Sequence, residues 1–388
     1  MVEKDSCKIH FIKALSGDCF LLEFSDETCI LIDCGYKSTY ETELKPILNE
    51  LSSKGRRISL LVVTHMDEDH IGGALALIED NGDNNAPNII AIDNIWFNGI
   101  FDVCRNYNYI LSHLVDSLSD KEAKKYRYIR TELLKLIGDG EGSISAKQAE
   151  AFELLCRSNH YCLNEGTENG LVTDGMDMKI GDCKVSVLSP STSEVDCFAR
   201  WIDRSLIGCL GKNYKLEKSS FIEYIEKLVI AQGKDEVGSS GSEVISAGMI
   251  NMQDWFGTST LAKMNEANRM SIVIEIEFKG KTMLFAADSE SEDWICRAKS
   301  QYDLIKLSHH GTTQPNLKIL ECIDFDAAII STNGKKNHPE NDLLVRILMK
   351  KVGHIYFNYD IRQKENILAC QDEYKFTAHF GENLIVVS

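Results

Sequence analysis

Proline is scarce, at 5 in 388 residues, and no low-complexity tract or internal repeat interrupts the chain. Collagen-like, mucin-like and disordered classes are excluded, because each depends on a composition that cannot bury a core. Basic residues are also short. Lys plus Arg number 42 against 59 Asp plus Glu, for a formal charge of −17. That field repels polyanions and disfavours a broad duplex-binding face, although a small basic patch or a metal-rich pocket can still hold phosphate. No apolar run approaches the roughly 20 residues that a membrane span needs. The charged start Met1-Val2-Glu3-Lys4-Asp5 lacks the apolar centre of a signal peptide. The 13 cysteines include no CxxC pair and have no regular spacing, and Cys29, Cys183 and Cys296 sit in apolar runs. Buried free thiols in a reducing compartment fit this better than a disulfide framework. The expectation is a cytoplasmic protein with no membrane partner.

What is present is an alternation of short strands and helices. Cys7–Ala14, Cys19–Phe24 and Cys29–Asp33 read as successive strands, the first two separated by Ser16-Gly17-Asp18. Glu41–Ser53 carries Leu44, Ile47, Leu48 and Leu51 at helical spacing. Ile58–Thr64 is a continuous apolar run suited to a strand covered on both faces. Ile71–Ile78 reads as a helix and Ile89–Phe97 as a strand. Strand character returns at Met176–Ser189 and again from Ser271 onward. The stretches between are helix-like, including Phe221–Gln232 and a basic cluster at Lys121–Arg130. The pattern predicts one α/β domain over 1–388, layered αββα, with two helical insertions at approximately 101–170 and 195–265.

The strongest chemical signal is Thr64-His65-Met66-Asp67-Glu68-Asp69-His70-Ile71-Gly72-Gly73. His65, Asp67, Asp69 and His70 are potential metal ligands, placed in one short loop directly after a buried strand. Imidazoles and carboxylates together suit zinc, manganese or iron. The two glycines allow close backbone approach. The competing interpretation, an acidic surface loop with two histidines, explains neither the glycines nor the strand before them. Glu290, close behind Asp288, could reach substrate, but its acidic run, Ser289–Asp293, reads rather as a solvated face. Lys121–Arg130, with Tyr126 and Tyr128, could touch nucleic acid but reads rather as a solvated helix face. Trp96, Trp201, Trp255 and Trp294 read as core or interface residues.

His65-x-Asp67-x-Asp69-His70-x-Gly72-Gly73 resembles the signature loop of the metallo-β-lactamase superfamily, in the form found in the competence-type DNA-internalisation proteins and phosphorylcholine esterases. Further landmarks follow in the family's order: Ile30–Gly35 with Asp33, Asn268-x-x-Ser271, Met283–Asp288, Leu307–Thr312 with His309 and His310, and Asn337-His338-Pro339. The resemblance implies a four-layer metallo-β-lactamase sandwich and two divalent metal ions. It implies one metal on His65, Asp67 and Asp288, and another on Asp69, His70, Asp288 and a late histidine. His310 is the favoured ligand, with His309 contacting substrate phosphate, and the reverse order stays open. Asp33 would brace the loop, and Asn268, Ser271 and His338 would stand behind the metals or near the substrate. Asp67 replaces the family's commoner histidine, and the histidine usually found before the bridging aspartate's strand is missing. The first site is therefore oxygen-rich. Zinc is expected, with manganese or magnesium as alternatives and one site weaker than the other.

The resemblance thus implies a metal-dependent hydrolase, read here as a phosphodiesterase acting on a small phosphodiester or a short nucleic acid. Asp69 would position or deprotonate the attacking water, and His309 would assist at the phosphate or leaving group. The other class left open is a catalytically weak interaction or regulatory module that takes a protein partner through the helical insertions.

Overall fold

In the computed structural model, residues 5–99, 102–103, 144–200, 255–259, 264, 266–335 and 337–388 are described. Lys121–Arg130, Phe221–Gln232, Trp201 and most of both expected insertions lie outside them. The first insertion contributes a described helix, Ile144–Ser158.

Strand β1 (Cys7–Phe11) pairs with β2 (Phe20–Phe24), which pairs with β3 (Cys29–Ile32). Here Gly17 and Asp18 lie in the turn between two antiparallel strands. Next come β4 (Leu60–Val62) and β5 (Ile95–Trp96), both added in parallel, while β14 (Leu384–Val387) closes the other edge beside β1. The six strands run in the order β14-β1-β2-β3-β4-β5. A second sheet contains β6 (Asp177–Ile180), β7 (Cys183–Ser189), β8 (Val273–Phe278), β9 (Lys281–Phe285), β10 (Gln301–Lys306), β11 (Asp324–Ile330), β12 (His354–Phe357) and β13 (Thr377–Phe380). Its eight strands lie in the reverse of that sequence, antiparallel from β6 to β9 and parallel from β9 to β13.

Three apolar clusters define the layers. One fills the space between the sheets, with Phe11, Phe20, Ile30, Ile32 and Val62 facing Val185, Ile274, Phe285 and Ile329. A second packs the outer face of the first sheet against helices Lys45–Ser53, Glu68–Asn81 and Ile144–Ser158, and a third covers the second sheet with Asn341–Met349 and its neighbours. The architecture is the αββα sandwich. Because β3 and β4 lie under helices on one face and the second sheet on the other, every residue in them is buried. Phe20 stacks on Phe11 at 5.3 Å between ring centroids and meets Phe285 edge-on at 5.5 Å across the sheet interface. Phe20→Ala is expected to destabilise the fold by about 3–5 kcal/mol through loss of this buried ring. A chemical-denaturation midpoint checks it, and an unchanged midpoint would contradict this packing.

Several boundaries shift from the sequence reading. Helix Glu68–Asn81 starts earlier than Ile71, with Asp67 at its N-terminal boundary, so Asp69 and His70 stand on its first turn and not in a loop. Carboxylates are favoured there by the helix's exposed N–H groups. Ile89–Phe97 forms a strand only at Ile95–Trp96, plus a single bridge from Ile92 to Ile58, because Asn81 and Asn84 capture the backbone of Ile89, Ile90 and Ile92 with their side chains. Met176–Ser189 is a hairpin. Cys29 and Cys183 are buried as expected, but Cys296 is exposed on a short helical turn. Trp96, Trp255 and Trp294 are buried. Among the described residues, no helix is long and apolar enough to cross a membrane.

Candidate metal centre

The parallel strands of both sheets carry their C-terminal ends to one place. Asp33 follows β3, His65 follows β4, Asp288 follows β9, His309 and His310 follow β10, and Ser331 follows β11. Crevices outside the carboxyl ends of parallel strands are where α/β folds place ligands. Four of the turns here hold non-glycine residues with left-handed φ: Leu15, Asp33, Ala287, and the adjacent His309 and His310. Such conformations cost energy and persist where surrounding contacts over-determine them.

Asp33 anchors the site. It is fully buried; Oδ1 accepts the Thr64 backbone N–H at 2.7 Å and Oδ2 accepts the Thr64 hydroxyl at 2.8 Å. The same Oδ2 lies 2.8 Å from His70 Nδ1, and the Thr64 oxygen lies 3.0 Å from His65 Nδ1. Both Nδ1 atoms are thus held as donors, which turns the Nε2 lone pairs of His65 and His70 toward the cavity. Those two Nε2 atoms are buried and have no hydrogen-bond partner. Buried polar atoms without partners are costly in a folded protein, and a bound cation is the partner that imidazole nitrogen suits.

Asp288 Oδ2 lies 3.0 Å from His310 Nε2 and 3.4 Å from His70 Nε2. Asp69 stands at 3.9 Å from His310 Nε2 and 4.0 Å from His70 Nε2. Among the described residues four sets of donor atoms lie mutually within 4.8 Å: His65, His70 and Asp288; Asp69, His70 and His310; Asp18, Asp33 and His70; and Asp18, Asp288 and His310. Asp67, with its side chain 28% exposed, approaches His65 Nε2 at 3.7 Å but belongs to none of these sets. The donors present fit a divalent cation, and His70 and Asp288 lie centrally among them.

Charge follows the same geometry. Burial and the neighbouring His70 lower the His65 pKa. Burial acts the same way on His70, but Asp288 and Asp33 outweigh it and raise the pKa well above the usual range. His310 is likewise carried up to about 9, chiefly by Asp288 and Asp18 against the effect of burial. A cation arriving at neutral pH therefore displaces protons. His309 behaves oppositely. It is half-buried, its backbone N–H donates to Ala287 O at 3.0 Å, and burial with nearby His310 lowers its pKa to about 4. His338 is half-buried at the same rim, 5.8 Å from His309 and 6.2 Å from His310 between ring centroids. Asn268 and Ser271 are buried in one turn beside the loop, which the Ile272 N–H joins by donating to Thr64 O at 2.9 Å.

One expectation is overturned. Glu290 is 9% exposed and not on a solvated face; burial, with Asp293 and Glu292, raises its carboxyl to about 7. Two residues of the site escaped the sequence reading. Asp18 looked like part of a turn and Lys306 like a strand residue, yet both are buried against Asp288 and His310. The usable signal was a lysine directly after the apolar pair Leu304-Ile305 and before Leu307, since an unpaired ammonium is seldom buried.

Glycine is required at two approaches. A Cβ on Gly73 would lie 2.1 Å from Cys34 O, and one on Gly17 would lie 2.0 Å from Asp69 O. Gly17→Ala is therefore expected to push Asp69 and the helix's first turn outward, weakening metal uptake more than folding. Equilibrium dialysis alongside a melting curve separates the two, and unchanged uptake would show that the approach is not needed.

Residues 12–103 match the family model described as the metallo-beta-lactamase superfamily. With its two-sheet sandwich and the loops at its strand ends, the chain has the metallo-β-lactamase sandwich fold. Among solved structures it is similar to the metallo-beta-lactamase fold protein YhfI from Bacillus subtilis, at 8% identity over 99% of each chain with a TM-score of 0.40. It is also similar to Igni18, a metallo hydrolase from the archaeon Ignicoccus hospitalis, at 12% identity, 99% coverage of each chain and a TM-score of 0.36. A third is the Zn(2+)-bound PqqB from Methylobacterium extorquens, at 9% identity, 99% coverage of each chain and a TM-score of 0.40. Among curated proteins, none matches the chain.

Proposed function

We propose that the protein is a cytoplasmic metal-dependent hydrolase that cleaves a phosphodiester in a small molecule or a short nucleic acid. The observation that carries this is the convergence of His65, His70, His310, Asp69 and Asp288 around the buried Nε2 atoms of His65 and His70, which have no hydrogen-bond partner. We assign two divalent ions, zinc in preference to manganese or magnesium, to His65, Asp67 and Asp288 and to Asp69, His70, Asp288 and His310. Bound there, divalent ions acidify water and stabilise charge on attacking and leaving oxygens. Asp69, at the helix start and part-exposed at 15%, accepts the proton of the attacking water. His309 is neutral near pH 7 because its pKa is about 4, so it serves a phosphate oxygen as a hydrogen-bond donor and not as a cation. Asp33 keeps the His70 ring in one orientation. Oxygen-rich ligation favours a phosphate ester over a lactam, and the −17 charge favours a small or short substrate over long nucleic acid.

The test is metal analysis of the purified protein joined to a turnover screen across a simple aryl phosphodiester, cyclic dinucleotides, short DNA and short RNA. About two metal equivalents with metal-dependent turnover is the expected result. A folded protein that takes up no metal would instead leave the interaction module, with the insertions as its docking surface. Turnover of lactams or thiolesters alone would replace the substrate class.

A further inference from the structure

A buried ion pair spans the two sheets behind the proposed metal centre. Lys306 ends β10 and Asp18 precedes β2; each is 1% exposed, and ammonium and carboxylate are in direct contact. Burying both ions carries a desolvation penalty that only good geometry offsets, and the surrounding contacts are specific. Lys306 Nζ also donates to Ala287 O at 2.8 Å and lies 3.5 Å from Asp288 Oδ1. Asp18 Oδ1 lies 3.6 Å from His310 Nδ1, the ring nitrogen turned away from the cavity, which also lies 3.1 Å from Ser331 O. The Asp18 backbone N–H donates to Asp69 O at 3.3 Å, and the Ser331 hydroxyl donates to Gly17 O at 2.8 Å.

We infer that Asp18 and Lys306 are a positioning pair for the metal centre, an inference that rests on the hydrolase reading above. The ammonium holds Asp288 by Oδ1, so that Oδ2 faces His70 and His310. His310 Nδ1 is held by Ser331 O, the Asp18 carboxylate adds its charge behind that ring at 3.6 Å, and the Asp18 backbone N–H ties the turn before β2 to the helix that carries Asp69 and His70. Asp18 also lies within ligand range of Asp288 and His310. Its place on the Nδ1 side of His310 and its contact with Lys306 assign it to orientation and not ligation. The pair stands behind His310 and Asp288 as Asp33 stands behind His65 and His70, acting by charge at 3.5 and 3.6 Å where Asp33 acts by hydrogen bonds of 2.7 to 2.8 Å.

The test compares wild type, Asp18→Asn, Lys306→Met and the double variant. Zinc affinity is read by competition with a chromophoric chelator, and geometry by the visible spectrum of the Co(II) forms. Each single substitution is expected to weaken one metal equivalent roughly 10- to 100-fold, the usual cost of losing a residue that orients a ligand, and to shift the cobalt bands. The double variant is expected to lose no more than the worse single one, because a broken pair has no further coupling to lose. A pair that only braces the fold would lower the melting temperature of the metal-free forms and leave affinity and cobalt spectrum unmoved. That result, or losses that simply add, overturns the inference. Should Lys306→Met fail to fold, Asp18→Asn, which keeps the side-chain shape, decides alone. Wild type binding metal beside an unchanged Asp18→Asn defeats this inference only, whereas wild type binding none defeats the hydrolase reading and this with it.

Discussion

Replacing Asp69 or His70 with alanine is expected to abolish metal-dependent phosphodiester hydrolysis while the fold persists. Asp69 sits on the first turn of helix Glu68–Asn81 with its side chain part-exposed, so its removal costs the fold little. It takes away a donor to the centre and the proton acceptor for water, and loss of such a general base lowers turnover roughly 100- to 10,000-fold. His70 belongs to three of the four donor sets and is fully buried. Its removal empties the position facing Asp288 and leaves Asp33 Oδ2 with only the Thr64 hydroxyl. The measurements are initial rates with added zinc or manganese, metal content by atomic spectroscopy, and circular dichroism. Wild-type rates at wild-type metal content in either variant would remove this site from the reaction.

Asp33→Ala is expected to be the most damaging single change to the centre that removes no ligand. Its two oxygens serve the Thr64 N–H, the Thr64 hydroxyl and His70 Nδ1, all inside the protein. Removing one partner of a buried charged network costs about 3–5 kcal/mol, since the remaining polar groups stay desolvated without a partner. Burial raises the Asp33 pKa, and His70 and the Thr64 bonds oppose that rise. Metal affinity is expected to drop roughly 10- to 100-fold as the His65 and His70 rings lose their fixed orientation. Asp33→Asn preserves the shape and is expected to lose less stability than alanine yet still weaken metal. Denaturation midpoints and a zinc competition titration read the two effects separately. Alanine at full stability and full affinity would show that the anchor is not Asp33.

The chemistry of the centre is legible along the chain because its donors lie next to strand ends, and apolar strand-length runs are the plainest pattern a sequence carries. His65, Asp67, Asp69 and His70 are contiguous, and Asp288, His309 and His310 each close an apolar run, so residue types and order both point to a metal loop. The layered class is equally visible, since β3 and β4 are apolar throughout. Helix and strand limits were less so. Glu68, Asp69 and His70 are polar and interrupt the apolar period, which hid the start of the helix. The side chains of Asn81 and Asn84 removed a strand whose apolar residues, read alone, promised one.

By itself the sequence determined that this is an acidic αββα protein with a His/Asp loop suited to divalent metal, because strand periodicity and ligand chemistry are local properties. Tertiary structure alone decided which atoms face one another. It placed His310 Nε2 against Asp288, with His309 half-buried at the rim beside His338, although the two histidines are neighbours of one type. It also turned Glu290 inward and brought Asp18 to Lys306 from the opposite sheet. Partners far apart along the chain meet only once both sheets have packed, and the direction of a side chain at a strand end depends on a turn's backbone angles and not on residue type.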